Sequence, residues 1–292
     1  MTRSLETIRS LYPFESHFLT IGGQRMHYVD EGAGPTVVML HGNPTWSFYF
    51  RNAIKALAGD YRVIVPDHIG CGLSEKPQVY PYTLAQHVDN FEKLADHLEL
   101  DDITLMVHDW GGPIGFGFAA RHPERIRRFV VSNTAAFRGV APLRIRCCRI
   151  PLLGALAVRT FNGFAAGATR LACHKHERMT PDVRRGYLLP YDSYRNRVAV
   201  HGFVLDIPTH SAHPTYKLIE EISASLSQFR DRPMSIFWGV QDFCFNETYL
   251  DRWIERFPDA AVHRFEDAGH YVLEDAHELI LPALRDFLDE TS

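Results

Sequence analysis

The chain has 292 residues, 46% of them hydrophobic and 23% charged, a usage that excludes collagen, coiled coil and wholesale disorder. Its net charge of −4, from 31 basic and 35 acidic residues, argues against nucleic-acid binding through bulk electrostatics. The five cysteines, at 71, 147, 148, 173 and 244, have no C-x-x-C or framework spacing. Met1 to Glu6 lacks the apolar stretch of a secretory leader, so a reducing, cytoplasmic setting is expected.

Short β-rich runs alternate with helical patterns along the chain. Gln24 to Asp30 alternates as a strand does, and Pro35 to Leu40 is a continuous apolar run, expected of a strand buried on both faces. Tyr61 to Val65, Ile103 to Val107 and Arg128 to Ser132 read the same way. Thr83 to Leu98 and the segment after Asp109 have helical apolar spacing. From about 136 to 215 the rhythm breaks into an Arg-, Gly- and Leu-rich stretch with several prolines. This stretch is expected to be an inserted helical cap, leaving 1–135 and 216–292 as two parts of one α/β core. The rhythm resumes with a strand at Met234 to Trp238, a helix at Thr248 to Phe257, a strand at Ala261 to Phe265 and a helix at His277 to Leu288. The alternation predicts a mostly parallel sheet with helices on both faces.

Charge is unevenly spread. Arg125 to His176 holds ten basic residues and no Asp or Glu, which leaves the rest of the chain at −14. A solvated face is one reading; a basic, apolar lid for anions, a membrane surface or a partner protein is the other. Leu152, Leu153, Leu156, Phe161 and Phe164 are expected in the cap core, with packing against long alkyl arms of a substrate as the alternative. Ile150 to Val158 leaves peripheral membrane contact or a homo-oligomer open.

Three local features carry chemistry. The apolar run Leu105 to Val107 leads through His108 into Asp109-Trp110-Gly111-Gly112. A strand running into a turn and a small-residue helix is the geometry of a nucleophile elbow, which exposes one side chain above the sheet. Here that side chain is Asp109 instead of serine, and Val107 takes the place of the first glycine of G-x-S-x-G. A carboxylate is already anionic at neutral pH and suits displacement at a saturated carbon. Helix capping is the competing role for such an aspartate. His41-Gly42-Asn43-Pro44 follows the strand ending at Leu40, where a turn can aim an N–H that pairs with that of Trp110 as an oxyanion hole. Asp242 follows the Met234 run and His270 follows the Ala261 run. The chain order Asp109, Asp242, His270 is that of α/β-hydrolases.

Taken together, His41-Gly42-Asn43-Pro44-Thr45-Trp46, Val107-His108-Asp109-Trp110-Gly111 and Pro66-Asp67-His68-Ile69-Gly70-Cys71-Gly72-Leu73-Ser74 resemble the haloalkane dehalogenase branch of the α/β-hydrolase fold. The resemblance spans nearly the whole chain and is weakest in the cap. It implies a mostly parallel eight-stranded sheet with an inserted helical cap. It also implies hydrolytic dehalogenation through an alkyl ester on Asp109, with the Asn43 and Trp110 side chains binding the halide. His270, held by Asp242, would activate the water. No metal or organic cofactor is implied; the partners are a hydrophobic small molecule and a halide or other anionic leaving group. Some members carry the catalytic acid after the sixth strand, but Ser132-Asn133-Thr134 offers no carboxylate there, so Asp242 is the expected acid. The subgroup with that arrangement resembles β-lactone decarboxylases of olefin biosynthesis, which makes decarboxylation to an alkene the alternative reaction. Epoxide hydrolysis would need cap tyrosines, with Tyr187, Tyr191 and Tyr194 as candidates. A silent binding protein would not need the acid, base and nucleophile together.

Overall fold

The computed structural model describes residues 5–291; the first four residues, on which the expectation of no leader partly rests, and Ser292 lie outside the described residues. The strands are β1 (His17–Ile21), β2 (Gln24–Glu31), β3 (Thr36–Leu40), β4 (Arg62–Pro66), β5 (Ile103–Asp109), β6 (Ile126–Thr134), β7 (Met234–Gly239) and β8 (Ala261–Phe265). They form an eight-stranded sheet in the order β1-β2-β4-β3-β5-β6-β7-β8. Only β1 and β2 run antiparallel to their neighbours; β3 to β8 pair in parallel.

Helices cover both faces, which is why the central strands are apolar throughout and do not alternate. On β3, Val38 and Leu40 pack with Leu105 and Val107 beneath α1 (Leu84–His97) and α2 (Gly111–Arg121). Val37 and Met39 face the other way, into packing built from Phe48, Tyr49, Ile280 and Leu284. Helix α1 starts where the side chain of Thr83 accepts a hydrogen bond from the Gln86 N–H.

Between β6 and β7 the described chain is helical, with α3 (Leu143–Cys147), α4 (Gly163–Leu171), α5 (Pro181–Leu188), α6 (Val198–Asp206) and α7 (Pro214–Ser225). Between α3 and α4 lie a single turn at Leu153–Ala155 and a π-helical turn over Leu156–Thr160. We propose 136–215 as the cap, because α7 packs back against α1 and α2.

The expected cap core needs correction. Leu152 is 86% exposed, and Leu153, Leu156 and Phe161 are also exposed. Of the five apolar residues named above, Phe164 alone lines the cavity described below. The cap core is instead Val158, Ala165, Tyr191 and Val200. Periodicity registers where apolar residues fall, not what covers them.

After β7, α8 (Glu247–Arg256) is capped by the Asn246 side chain, and after β8 comes α9 (Val272–Glu290). The last helix thus begins five residues before the expected His277, with a kink at Ala276 (φ −139°).

Candidate active site

The elbow arises from crowding. Asp109 closes β5 with φ +50°, a conformation a non-glycine residue holds only when its surroundings force it. Thr134 at the end of β6 donates its hydroxyl to the Asp109 carbonyl. A Cβ at Gly111 would meet the Leu40 carbonyl oxygen at 1.9 Å, so only glycine lets α2 start this close to β3. A Cβ at Gly42 would meet Asp109 Oδ1 at the same distance. Glycine there lets the loop after β3 lay its backbone on the carboxylate.

The Asn43 N–H accordingly donates to Asp109 Oδ1 at 2.6 Å, and the Trp110 N–H also bonds the carboxylate. The two backbone donors expected of an oxyanion hole thus converge on Asp109. Its other oxygen, Oδ2, lies 3.7 Å from His270 Nε2. On the far side of the ring, His270 Nδ1 lies 2.8 Å from Asp242 Oδ2. Asp242 Oδ1 accepts the Cys244 N–H at 2.6 Å. The structure therefore brings Asp109, His270 and Asp242 into one line, at the ends of β5, after β8 and after β7.

Burial pushes the Asp109 carboxyl above its ordinary range, opposed by His270 and the two backbone N–H groups. Burial alone would lower His270, but the charges of Asp242 and Asp109 outweigh it and leave the imidazole raised.

The site opens into a cavity of about 290 Å³. Asn43, Trp110, Phe164, Val204, Phe243 and Phe245 are among its lining residues, and Phe245 stacks on the His270 ring at 5.7 Å. Both expected leaving-group residues, Asn43 and Trp110, face this space. One N–H of the Asn43 amide is engaged by the Val200 carbonyl of the cap at 3.1 Å, which fixes the side chain and leaves its second N–H for a guest. The cap tyrosines do not line the cavity: Tyr187 bonds Glu274, Tyr191 donates to the Thr45 carbonyl, and Tyr194 is half exposed under Arg159. Epoxide opening thus loses its expected proton donors.

Two supporting residues escaped the sequence reading. Asn133, buried at the end of β6, donates Nδ2 to Asp242 Oδ2 at 2.9 Å and accepts the Gly239 N–H at 2.8 Å. The missing carboxylate at this strand end was the available signal. Asp275, fully buried, accepts from the Gly269 N–H and from the His174 and Lys175 N–H groups. It ties the His270 loop to the cap, a long-range contact with no sequence signature. Cys173 donates its thiol to this same carboxylate, and among the described residues there is no group of three or more His, Cys, Asp or Glu that could hold a metal ion.

Residues 35–144 match the alpha/beta hydrolase fold family. The chain is 46% identical over 97% of its length to a cis-3-alkyl-4-alkyloxetan-2-one decarboxylase of Shewanella oneidensis, covering 91% of that protein. It is 33% identical over 85% of its length to haloalkane dehalogenase 2 of Mycobacterium tuberculosis, covering 86% of it. In fold it is similar to the haloalkane dehalogenase DatA of Agrobacterium tumefaciens, with a TM-score of 0.87 at 24% identity, over 95% of this chain and 97% of that one.

Proposed function

Because this chain belongs to the alpha/beta hydrolase family that holds cis-3-alkyl-4-alkyloxetan-2-one decarboxylases and haloalkane dehalogenases, we propose that it opens and decarboxylates a 3,4-dialkyl β-lactone by attack of Asp109 on a saturated ring carbon. The observation that carries this reading is the asymmetric holding of the Asp109 carboxylate. Oδ1 is bonded by backbone, while Oδ2 is turned toward His270 at an apolar cavity. Higher identity over more of the chain favours the lactone over the haloalkane.

In the first step Oδ2 attacks C4 of the lactone and the C4–O bond breaks. The ring oxygen leaves as part of a carboxylate, so the leaving group never departs from the guest. Asn43 and Trp110 are suited to receive the developing charge. In the second step the bond between C3 and the carboxylate breaks; its electron pair forms the alkene as the C4–O bond to Asp109 breaks. CO₂ leaves and the Asp109 carboxylate returns. Inversion at C4 followed by anti elimination carries a cis lactone to a cis alkene. His270, held by Asp242 and raised by the charges of Asp242 and Asp109 against its burial, keeps Asp109 oriented.

The same groups support haloalkane hydrolysis, the reading first drawn from the sequence and favoured by the dehalogenase relative. Once Asp109 is esterified its charge is gone, the imidazole loses one of the charges that raise it, and His270 can act as a base for water. That water attacks the ester carbonyl, and the oxyanion forms on the oxygen facing the Asn43 and Trp110 N–H groups.

One experiment separates the two. The chain is given a cis-3,4-dialkyl β-lactone or a 1-bromoalkane in ¹⁸O water, and the products and the Asp109 peptide are analysed by mass spectrometry. Alkene with an unlabelled Asp109 is expected from the lactone. Halide release with labelled Asp109, and no alkene from the lactone, would replace the decarboxylase reading with the dehalogenase one.

A further inference from the structure

Fourteen large hydrophobic side chains are exposed among the described residues, and eight of them fall between Val140 and Leu171. The most exposed of these eight, Leu152, sits at φ +63°, a backbone conformation that a leucine rarely adopts. Leu152 and its neighbour Leu153 have 86% and 62% of their surface in solvent. Exposed apolar side chains concentrated in one segment point to an interaction site.

The charges around it say what it meets. Arg121, Arg125, Arg127 and Arg138 all have carboxylate partners. Arg144, Arg146 and Arg170 are exposed and have no ion pair among the described residues. A surface that pairs unneutralised guanidinium groups with protruding leucines matches an anionic lipid surface, which offers phosphate outside and hydrocarbon beneath. A symmetric contact with a second copy would instead set two acid-free basic faces against each other.

The same segment forms the cavity rim: Val140 and Leu171 are both exposed and lining, and Ile145 and Phe164 continue inward. We propose that residues 140–171 dock on an anionic bilayer, with Leu152 and Leu153 inserted and the cavity mouth facing the lipid. Docking stands apart from the reaction. Delivery of a dialkyl lactone from the bilayer rests on the proposed function.

The full chain is sedimented with phosphatidylglycerol–phosphatidylcholine vesicles and with phosphatidylcholine vesicles alone. Binding is expected to the mixed vesicles only, and to weaken as salt rises. Arg146→Glu/Arg170→Glu and Leu152→Ser/Leu153→Ser should each weaken it by about tenfold or more. Turnover of a short-chain, water-soluble substrate without lipid should stay unchanged in both variants, which separates docking from catalysis and reports a native fold. Absence of vesicle binding, or binding that neither variant alters, would overturn the proposal. So would a lipid-free dimer in sedimentation velocity that Leu152→Ser/Leu153→Ser dissolves, or a lipid-free complex with an acidic protein that Arg146→Glu/Arg170→Glu abolishes while vesicle binding persists.

Discussion

Asn133 and Asp242 share a hydrogen bond of 2.9 Å on the same carboxylate oxygen that faces His270 Nδ1 at 2.8 Å. The amide also bonds both the N–H and the carbonyl of Gly239, so it joins the ends of β6 and β7 while aiming the acid. Asn133→Ala should slow turnover by about tenfold or more and cost about 1–3 kcal/mol of stability, the range for leaving buried polar groups unpaired. The rate and the urea midpoint of the variant check both. Unchanged kinetics would reduce Asn133 to a structural brace.

Asp109→Ala should abolish turnover of lactone and bromoalkane alike. Asp109→Asn removes one of the charges that raise His270, so its imidazole should titrate lower than in the unmodified protein. NMR titration of the His270 ring reads this shift. An unmoved imidazole would mean that the 3.7 Å between the groups carries little coupling.

Trp110→Phe keeps an aromatic ring against Phe203, its neighbour at 5.3 Å, while deleting the indole N–H. If that donor receives the departing charge, the rate should fall on the order of 10²–10³, as for loss of one oxyanion-hole donor. Measured on lactone and on bromoalkane, the two losses would show which leaving group the indole serves.

The pH dependence follows from the two raised groups. Asp109 reacts as the anion, and burial raises its carboxyl, so kcat/KM should rise with pH through a midpoint above the ~3.9 of a free aspartate. His270 is raised by Asp242 and Asp109 against the opposing effect of burial. Its contribution to stability is thus fully present below ~6.5, the free imidazole value, and lost as pH rises through the folded-state value. Urea unfolding across pH, compared with a His270→Ala variant, should show this alkaline loss in the parent alone.

Glu274 at the start of α9 accepts from both terminal guanidinium nitrogens of Arg51 and from the Tyr187 hydroxyl of α5 in the proposed cap. Both ends of the ion pair are buried. Glu274→Gln would strand a buried guanidinium and should destabilise by about 3–5 kcal/mol. Chemical unfolding tests this, and Arg51→Met/Glu274→Met should recover much of the loss because it removes both charges.

The core was legible because β3 and β5 are buried on both faces and so spell continuous apolar runs. The candidate site was legible because an elbow is a local event: Asp109, Trp110 and Gly111 are neighbours in sequence and in space. The edge strand β1 was not read, since His17–Ile21 is short and its Phe18 points half into solvent. The start of α9 was missed because Ala276 breaks the helical path that His277 resumes. The packing of the proposed cap was not legible. Leu152 and Val158 look alike in a sequence, yet one protrudes and the other is buried.

Asp275 grips the Gly269 N–H with one oxygen of its carboxylate, and that same oxygen takes the His174 N–H. Tyr271 adds a second strap through its N–H to the Ala172 carbonyl. A tug on residues 172–175 is therefore transmitted to the imidazole one position away. A guest large enough to shoulder that stretch aside would therefore also shift the ring proposed as the base, so the fit of a guest under residues 172–175 and the aim of His270 are set by the same few hydrogen bonds.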